Sequence, residues 1–159
     1  MQPFSMSSPL SRMPFFAVLG GAAPVSQGVD NQFISLLDSY RPSGGLARTQ
    51  ETLEMFMRRC GPDLATVARW MARREVLYLD WHAQSWMPMF QFDLVEMVPL
   101  PQLAPVLVEL NPVYAPWAMA AWFAQPNPWL GGERPAEVLV SNPAGVLDAA
   151  RADRFVVLG

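Results

Sequence analysis

Pro116-Trp117-Ala118-Met119-Ala120-Ala121-Trp122-Phe123-Ala124 is the stretch that decides the fold. Proline suits the first turn of a helix, where its missing N–H is not needed. Behind it, small residues alternate with Trp117, Met119, Trp122 and Phe123, so that a neighbouring helix can approach closely while the large side chains fill the gaps. The pattern predicts a core helix over 116–124. Upstream, Leu103, Val106, Leu107 and Leu110 recur at the helical period, and Asn111-Pro112 ends that run.

Downstream, Gln125 to Gly132 reads as a loop, with Gly131-Gly132 supplying backbone freedom. Pro135 starts a short helix to about Val140. Ser141 or Asn142 caps a last helix that begins at Pro143 and buries Val146, Leu147 and Ala150. Arg151 to Gly159 reads as an apolar tail in need of cover.

Working back from Leu103, Val76–Trp81 and Trp86–Phe92 are β-prone runs separated by His82-Ala83-Gln84-Ser85, a hairpin or small wing. Before them, Thr49 is expected to cap a helix to Cys60 with Leu53, Phe56 and Met57 inward, stopped by Gly61-Pro62. Asp63 then caps a helix over Leu64–Arg74, with Leu64, Val67, Ala68 and Met71 as its apolar stripe. Two short helices across a tight glycine turn make a helix-turn-helix candidate. A short helix over Asn31–Tyr40 ends at Pro42, Gly44 and Gly45, and residues 1–30 read as an irregular arm. The expected fold is mainly α: a degenerate helix-turn-helix with a short β-hairpin, followed by a compact bundle of short helices. Three segments follow: an arm over 1–48, the helix-turn-helix and hairpin over 49–93, and a helical domain over 94–159.

The chain is 52% hydrophobic and 16% charged, against a usual charged quarter, so apolar surface is left over for a partner or a second copy. Every basic residue is arginine. Residues 48–74 carry six of them against Glu51, Glu54 and Asp63, whereas residues 75–159 carry Arg134, Arg151 and Arg154 against nine acids. Only the basic segment suits nucleic acid. Cys60 is the sole cysteine, which rules out an intramolecular disulfide and points to a reducing cytoplasm. The apolar run Pro14–Val25 is broken by Gly20-Gly21 and makes a poor signal peptide. No run approaches the roughly 20 apolar residues that span a bilayer, so no membrane association is expected.

No catalytic or metal constellation emerges, no cofactor is called for, and the chain does not read as an enzyme. His82, the sole histidine, lies in a turn, where neither a triad nor a zinc site is near. Cys60 reads as a packed structural thiol at a helix end. Asp80, Asp93 and Glu96 are the only close acids near the aromatic hairpin, and they read as solvated charges. With the Trp-rich hairpin they leave a small-ligand pocket as a remote reading. Phosphate-cradling glycine motifs are absent.

Thr66-Val67-Ala68-Arg69-Trp70 with Arg73 and Arg74 resembles the second helix of a winged or excisionase-like helix-turn-helix. Thr66, Arg69, Arg73 and Arg74 are its candidate DNA contacts. The acidic C-terminal half opposes DNA, so binding is expected to be weak or absent at physiological salt. The alternative is a retained scaffold whose arginines solvate its outer face.

A more specific succession lies in the C-terminal half: Pro88-Met89-Phe90-Gln91-Phe92-Asp93, then Trp117-x4-Trp122-Phe123, then Asn127-Pro128-Trp129-Leu130-Gly131-Gly132-x2-Pro135-x3-Leu139. It resembles the toxin-binding domain of the bacterial Xre/MbcA/ParS antitoxin family over about residues 88–155. Each motif residue also has a local structural reading: Asn127 can bond loop backbone, a glycine can take positive φ, and Pro135 can fix a helix start. The resemblance implies an antitoxin that binds a RES-domain, NAD-consuming toxin and occludes its active site with the C-terminal region. The implied partner contacts are Trp129, Arg151, Arg154 and Phe155, arginine being suited to a pocket that holds a pyrophosphate. A homodimer is a further possibility. The leader before residue 49 has no counterpart in that family, and the first helices are a poor match to its DNA-binding domain. The rival expectation is a DNA-binding transcriptional regulator that uses the helical domain to dimerise.

Overall fold

A computed structural model describes residues 23–159, with side chains from Gln27 onward. The chain divides into two units, Met1–Phe33 and Ile34–Gly159. In the first, the described part is helical. Residues 1–22, with most of the expected arm and of the Pro14–Val25 run, lie outside the described residues. Among those described, the protein is mainly helical with small antiparallel sheets, as the hydrophobic periodicity requires.

Helix α1 spans Ala23–Tyr40, so residues 23–30, expected to be irregular, extend the Asn31–Tyr40 helix by two turns. A 3-10 turn over Arg41–Ser43 follows, and Gly44 and Gly45 both take positive φ, a conformation that favours residues without a Cβ. Strand β1, Leu46–Arg48, runs directly into α2, Thr49–Arg58. Arg48 occupies the N-cap and Thr49 is the first helical residue, one position from its expected place. The buried face is Thr52 and Phe56, while Met57 points to solvent. The Thr52 hydroxyl donates back to the Arg48 carbonyl at 3.2 Å, which satisfies it on the buried face.

The end of α2 reverses the usual assignment of glycine. Cys60 takes the left-handed conformation, φ 56°, with its N–H on the Met57 carbonyl and that of Gly61 on the Phe56 carbonyl, the paired bonds of a Schellman motif. Gly61 is needed for space, since a Cβ there would meet the Met97 sulfur at 2.7 Å and the Phe56 carbonyl at 3.0 Å. Cys60 is exposed and is therefore not the packed thiol expected. Asp63 caps α3, Leu64–Ala72, by accepting from the Thr66 N–H at 2.9 Å, and a hydrogen bond from the Thr66 side chain, together with this backbone one, holds its carboxyl below the usual range. Val67 and Trp70 are buried, whereas Leu64 and Ala68 of the expected stripe are exposed. A second Schellman end stops α3 short of Arg74, which is left-handed at φ 54°.

Strands β2, Leu79–Trp81, and β3, Gln84–Pro88, form the expected hairpin, closed by His82-Ala83 alone, both at positive φ, as a two-residue primed turn requires. β1 pairs with the other edge of β3, giving the order β1-β3-β2. The expected strand Trp86–Phe92 breaks after Pro88, because proline has no N–H to continue the ladder. Met89–Gln91 instead turn as a 3-10 segment, and β4, Phe92–Asp93, pairs with β5, Val98–Pro99. This break turns the Gln91 side chain inward, where it grips both backbone groups of Leu77.

The remaining helices fall close to expectation: α4 at Leu103–Leu110, α5 at Pro116–Ala124, α6 at Pro135–Val138 and α7 at Pro143–Leu158. The last differs most. The residues read as a tail continue α7 to Leu158.

Two aromatic clusters hold the second unit together. Phe56, Val67, Trp70, Val76, Met87 and Phe92 join α2, α3 and the sheet. In the other, Phe90 stacks on Tyr40 at 5.8 Å and packs against Phe123 at 5.1 Å. The Tyr40 hydroxyl donates to the Ala120 carbonyl at 2.6 Å, and burial pushes its pKa far above the usual value, so the phenol stays neutral.

Candidate functional site

Helix α7 is gripped over its middle and left bare at its end. Val146, Ala149 and Ala150 are buried, and the helix packs along α4 and the 3-10 turn Pro128–Leu130. The next turn carries polar groups that face named partners. Asp153 accepts from the Trp122 indole N–H at 2.6 Å and from the Asn127 amide at 3.4 Å. Arg151 and Arg154 both donate to one carboxylate, Glu109 on α4, at 3.4 and 2.9 Å. Adjacent helical residues point about 100° apart, so Asp153 and Arg154 hold the helix from two directions and fix its rotation. Partly exposed ion pairs contribute about 0–1 kcal/mol each. Their main effect is to aim the helix. Tyr114 lies close enough for burial and the Asp153 carboxylate to hold its hydroxyl above its ordinary pKa.

Beyond this polar collar the character changes within one residue. Phe155, Val156, Val157 and Leu158 are 76, 70, 50 and 64% exposed. The helix therefore projects a full turn with no polar side chain.

The corner before α6 explains how the collar is built. Asn127 is buried, and its Oδ1 accepts from the Trp129 N–H at 2.9 Å while its backbone bonds Glu133 and Gly132. Gly131 and Gly132 take φ of 65° and 88°. Trp122, Phe123, Leu130, Pro135 and Leu139 are buried, and two of the motif residues, Trp122 and Asn127, converge on Asp153. Trp117 lies apart, its indole donating to the Asp80 carbonyl on the hairpin.

The chain matches no family model, no curated protein and no solved structure.

Of the expected partner contacts, Phe155 and Trp129 are exposed, while Arg151 and Arg154 face Glu109 of their own chain. Among the expected DNA contacts, Arg69 and Arg73 are exposed and Thr66 is half-buried. Arg74 is not free to meet DNA in this arrangement. Its guanidinium donates to the Asn111 and Tyr114 carbonyls at 3.1 and 2.9 Å, and the Asn111 amide answers to the Arg74 carbonyl. It closes the C-terminal end of α4, where orphaned carbonyls accept cationic donors.

His82 is exposed at the hairpin tip, edge-on to Trp81. Asp80 accepts from Ser85, and Asp93 caps its own turn at Val95 and Glu96. Among the described residues no group of three or more His, Cys, Asp or Glu is placed to hold a metal. A groove of about 580 Å³ runs beside α2, with Ala47, Met55, Met89, Phe90 and Phe92 in its lining and Glu51 and Arg58 at its edge. His82, Asp93 and Glu96 do not line it.

Glu109 and Asp153 escaped the sequence reading. Glu109 is the one charged residue of an otherwise apolar helix, and Asp153 sits between Arg151 and Arg154, where it reads as one more solvated charge.

Proposed function

We propose that the chain is an antitoxin-like protein that masks a cognate RES-domain, NAD-consuming toxin by inserting the end of α7 into its active-site cleft. The carrying observation is the bare apolar turn Phe155–Leu158 on a helix whose direction is fixed by Glu109, Trp122 and Asn127. In this reading the protein acts stoichiometrically, without catalysis or a cofactor, in the cytoplasm where its NAD-consuming target works. No helix among the described residues is long and apolar enough to cross a membrane. Trp129, exposed beside the corner, adds an anchor of the type that concentrates binding energy. Arg151 and Arg154 act through Glu109 as positioning residues, and a second copy of the chain is compatible with this geometry.

The test is co-expression with a RES-domain toxin, with the cellular NAD pool as the readout. The full chain is expected to preserve the pool, and a chain lacking residues 155–159 to lose that protection while keeping its thermal transition. This shorter cut is cleaner than removal of 151–159, which would also take away Asp153 and Arg154. Protection by the truncated chain would overturn the reading.

DNA binding through α3 is the second reading, favoured by the order strand, helix, turn, helix, hairpin and by the exposed Arg58, Arg69 and Arg73. If it holds, a gel shift seen at low salt should weaken steeply as salt rises. Arg69→Ala with Arg73→Ala should then flatten that dependence by about one unit of slope for each phosphate no longer neutralised. No shift at low salt removes it.

A further inference from the structure

We infer that the groove beside α2 is the contact of a two-fold dimer. A second copy lays its own α2 antiparallel along it, so that Glu51 of each copy faces Arg58 of the other and the two Met55 side chains meet near the axis.

The spacing on α2 prepares this contact. Glu51, Met55 and Arg58 stand at i, i+4 and i+7, within an arc of about 60°, and all three line the groove of about 580 Å³. The rest of its lining includes Met89, Leu94 and the mostly buried rings of Phe90 and Phe92. Methionine is unbranched and adapts to an irregular apolar neighbour. The row therefore has an apolar middle and opposite charges at its two ends, about 10 Å apart at 1.5 Å of rise per residue. Neither charge is held firmly within the chain. Glu51 meets Arg48 only at 4.0 Å, with both side chains at least half exposed, and no acid among the described residues pairs with Arg58.

A row that reads acid, apolar, base is its own complement when reversed. Two parallel copies of α2 would set Glu51 against Glu51 and Arg58 against Arg58, and like charges repel. Antiparallel copies join each acid to a base, twice by symmetry, which is the self-matching that a two-fold interface requires. Antiparallel helix dipoles add to the preference. The relief also suits a facing helix. Arg58 borders both this groove and a second hollow of about 290 Å³ lined by Glu54 and Met57, so it stands as a ridge between two depressions, the shape that interlocks with another helix surface. Met57, which is 64% exposed, gains cover in the same contact. No residue of α7 lines either depression, and the dimer is independent of toxin masking.

Sedimentation velocity of the full chain over a wide range of concentration tests this. The unsubstituted chain is expected to dimerise, less tightly as salt rises. Glu51→Arg and Arg58→Glu each set two like-charge pairs across the axis and should weaken the dimer about tenfold or more. Mixed one to one, the two variants bring opposite charges together at both contacts and should re-form a dimer of about the original strength, a recovery that a folding defect in either chain would not give. The double variant, with both charges exchanged, should dimerise on its own. A monomer at every concentration would overturn the inference, as would a dimer that neither single variant weakens, or single variants that do not recover on mixing. Self-association that persists in both variants and is lost with Phe155→Glu would belong to the end of α7 and would overturn it too.

Discussion

Phe123→Ala is expected to destabilise the protein by roughly 3–5 kcal/mol, the range for deleting a fully buried phenylalanine. Phe123 has no exposed surface. It packs on Phe90 at 5.1 Å and edge-on to Trp122 at 4.9 Å, and Phe90 in turn stacks on Tyr40. The ring thus links the tryptophan helix, the 3-10 turn after β3 and the end of α1. Neighbours anchored at both ends cannot collapse into the vacated volume, which places the loss toward the upper part of that range. Total stabilities of about 5–15 kcal/mol leave little margin. Chemical denaturation of the two chains measures the difference, and a loss under about 1 kcal/mol would show that the ring is not a keystone of the packing.

Gln91→Met should cost roughly 2–6 kcal/mol although it conserves shape and removes little packing. Gln91 is wholly buried, and its carboxamide accepts from the Leu77 N–H at 2.7 Å and donates to the Leu77 carbonyl at 2.9 Å. Methionine satisfies neither, and each stranded backbone group costs about 1–3 kcal/mol. Gln91→Glu separates the two halves of the clamp: its carboxylate keeps the acceptor but loses the donor and buries a charge, whereas its protonated form restores both bonds, so its deficit in the midpoint of a urea transition should shrink as pH falls.

Much of the architecture was legible because periodicity dominates where helices face a core. Leu103, Val106, Leu107 and Leu110 fall on one face of α4, and Pro116 opens α5 where expected. The errors gather where backbone conformation was decided by contacts remote in sequence. Cys60 takes the left-handed position of the Schellman end, and the glycine after it leaves room for Met97, distant in sequence. Arg74 takes another such position at the end of α3, and its guanidinium reaches the end of α4, so a residue read as a DNA contact becomes a tie between two segments. Proline at 88 shortened a strand, and an apolar tail became the last turns of a helix. Of the candidate site, Phe155 and Trp129 could be singled out from sequence. Glu109 and Asp153 could not, since their partners lie 26 to 45 positions away.

The bare turn also sets a condition on the life of the molecule. Such an oily knob is tolerated by water only while copies are dilute, since exposed apolar patches invite clustering. Concentrating the free chain should therefore bring it to a colloidal limit, which light scattering would read.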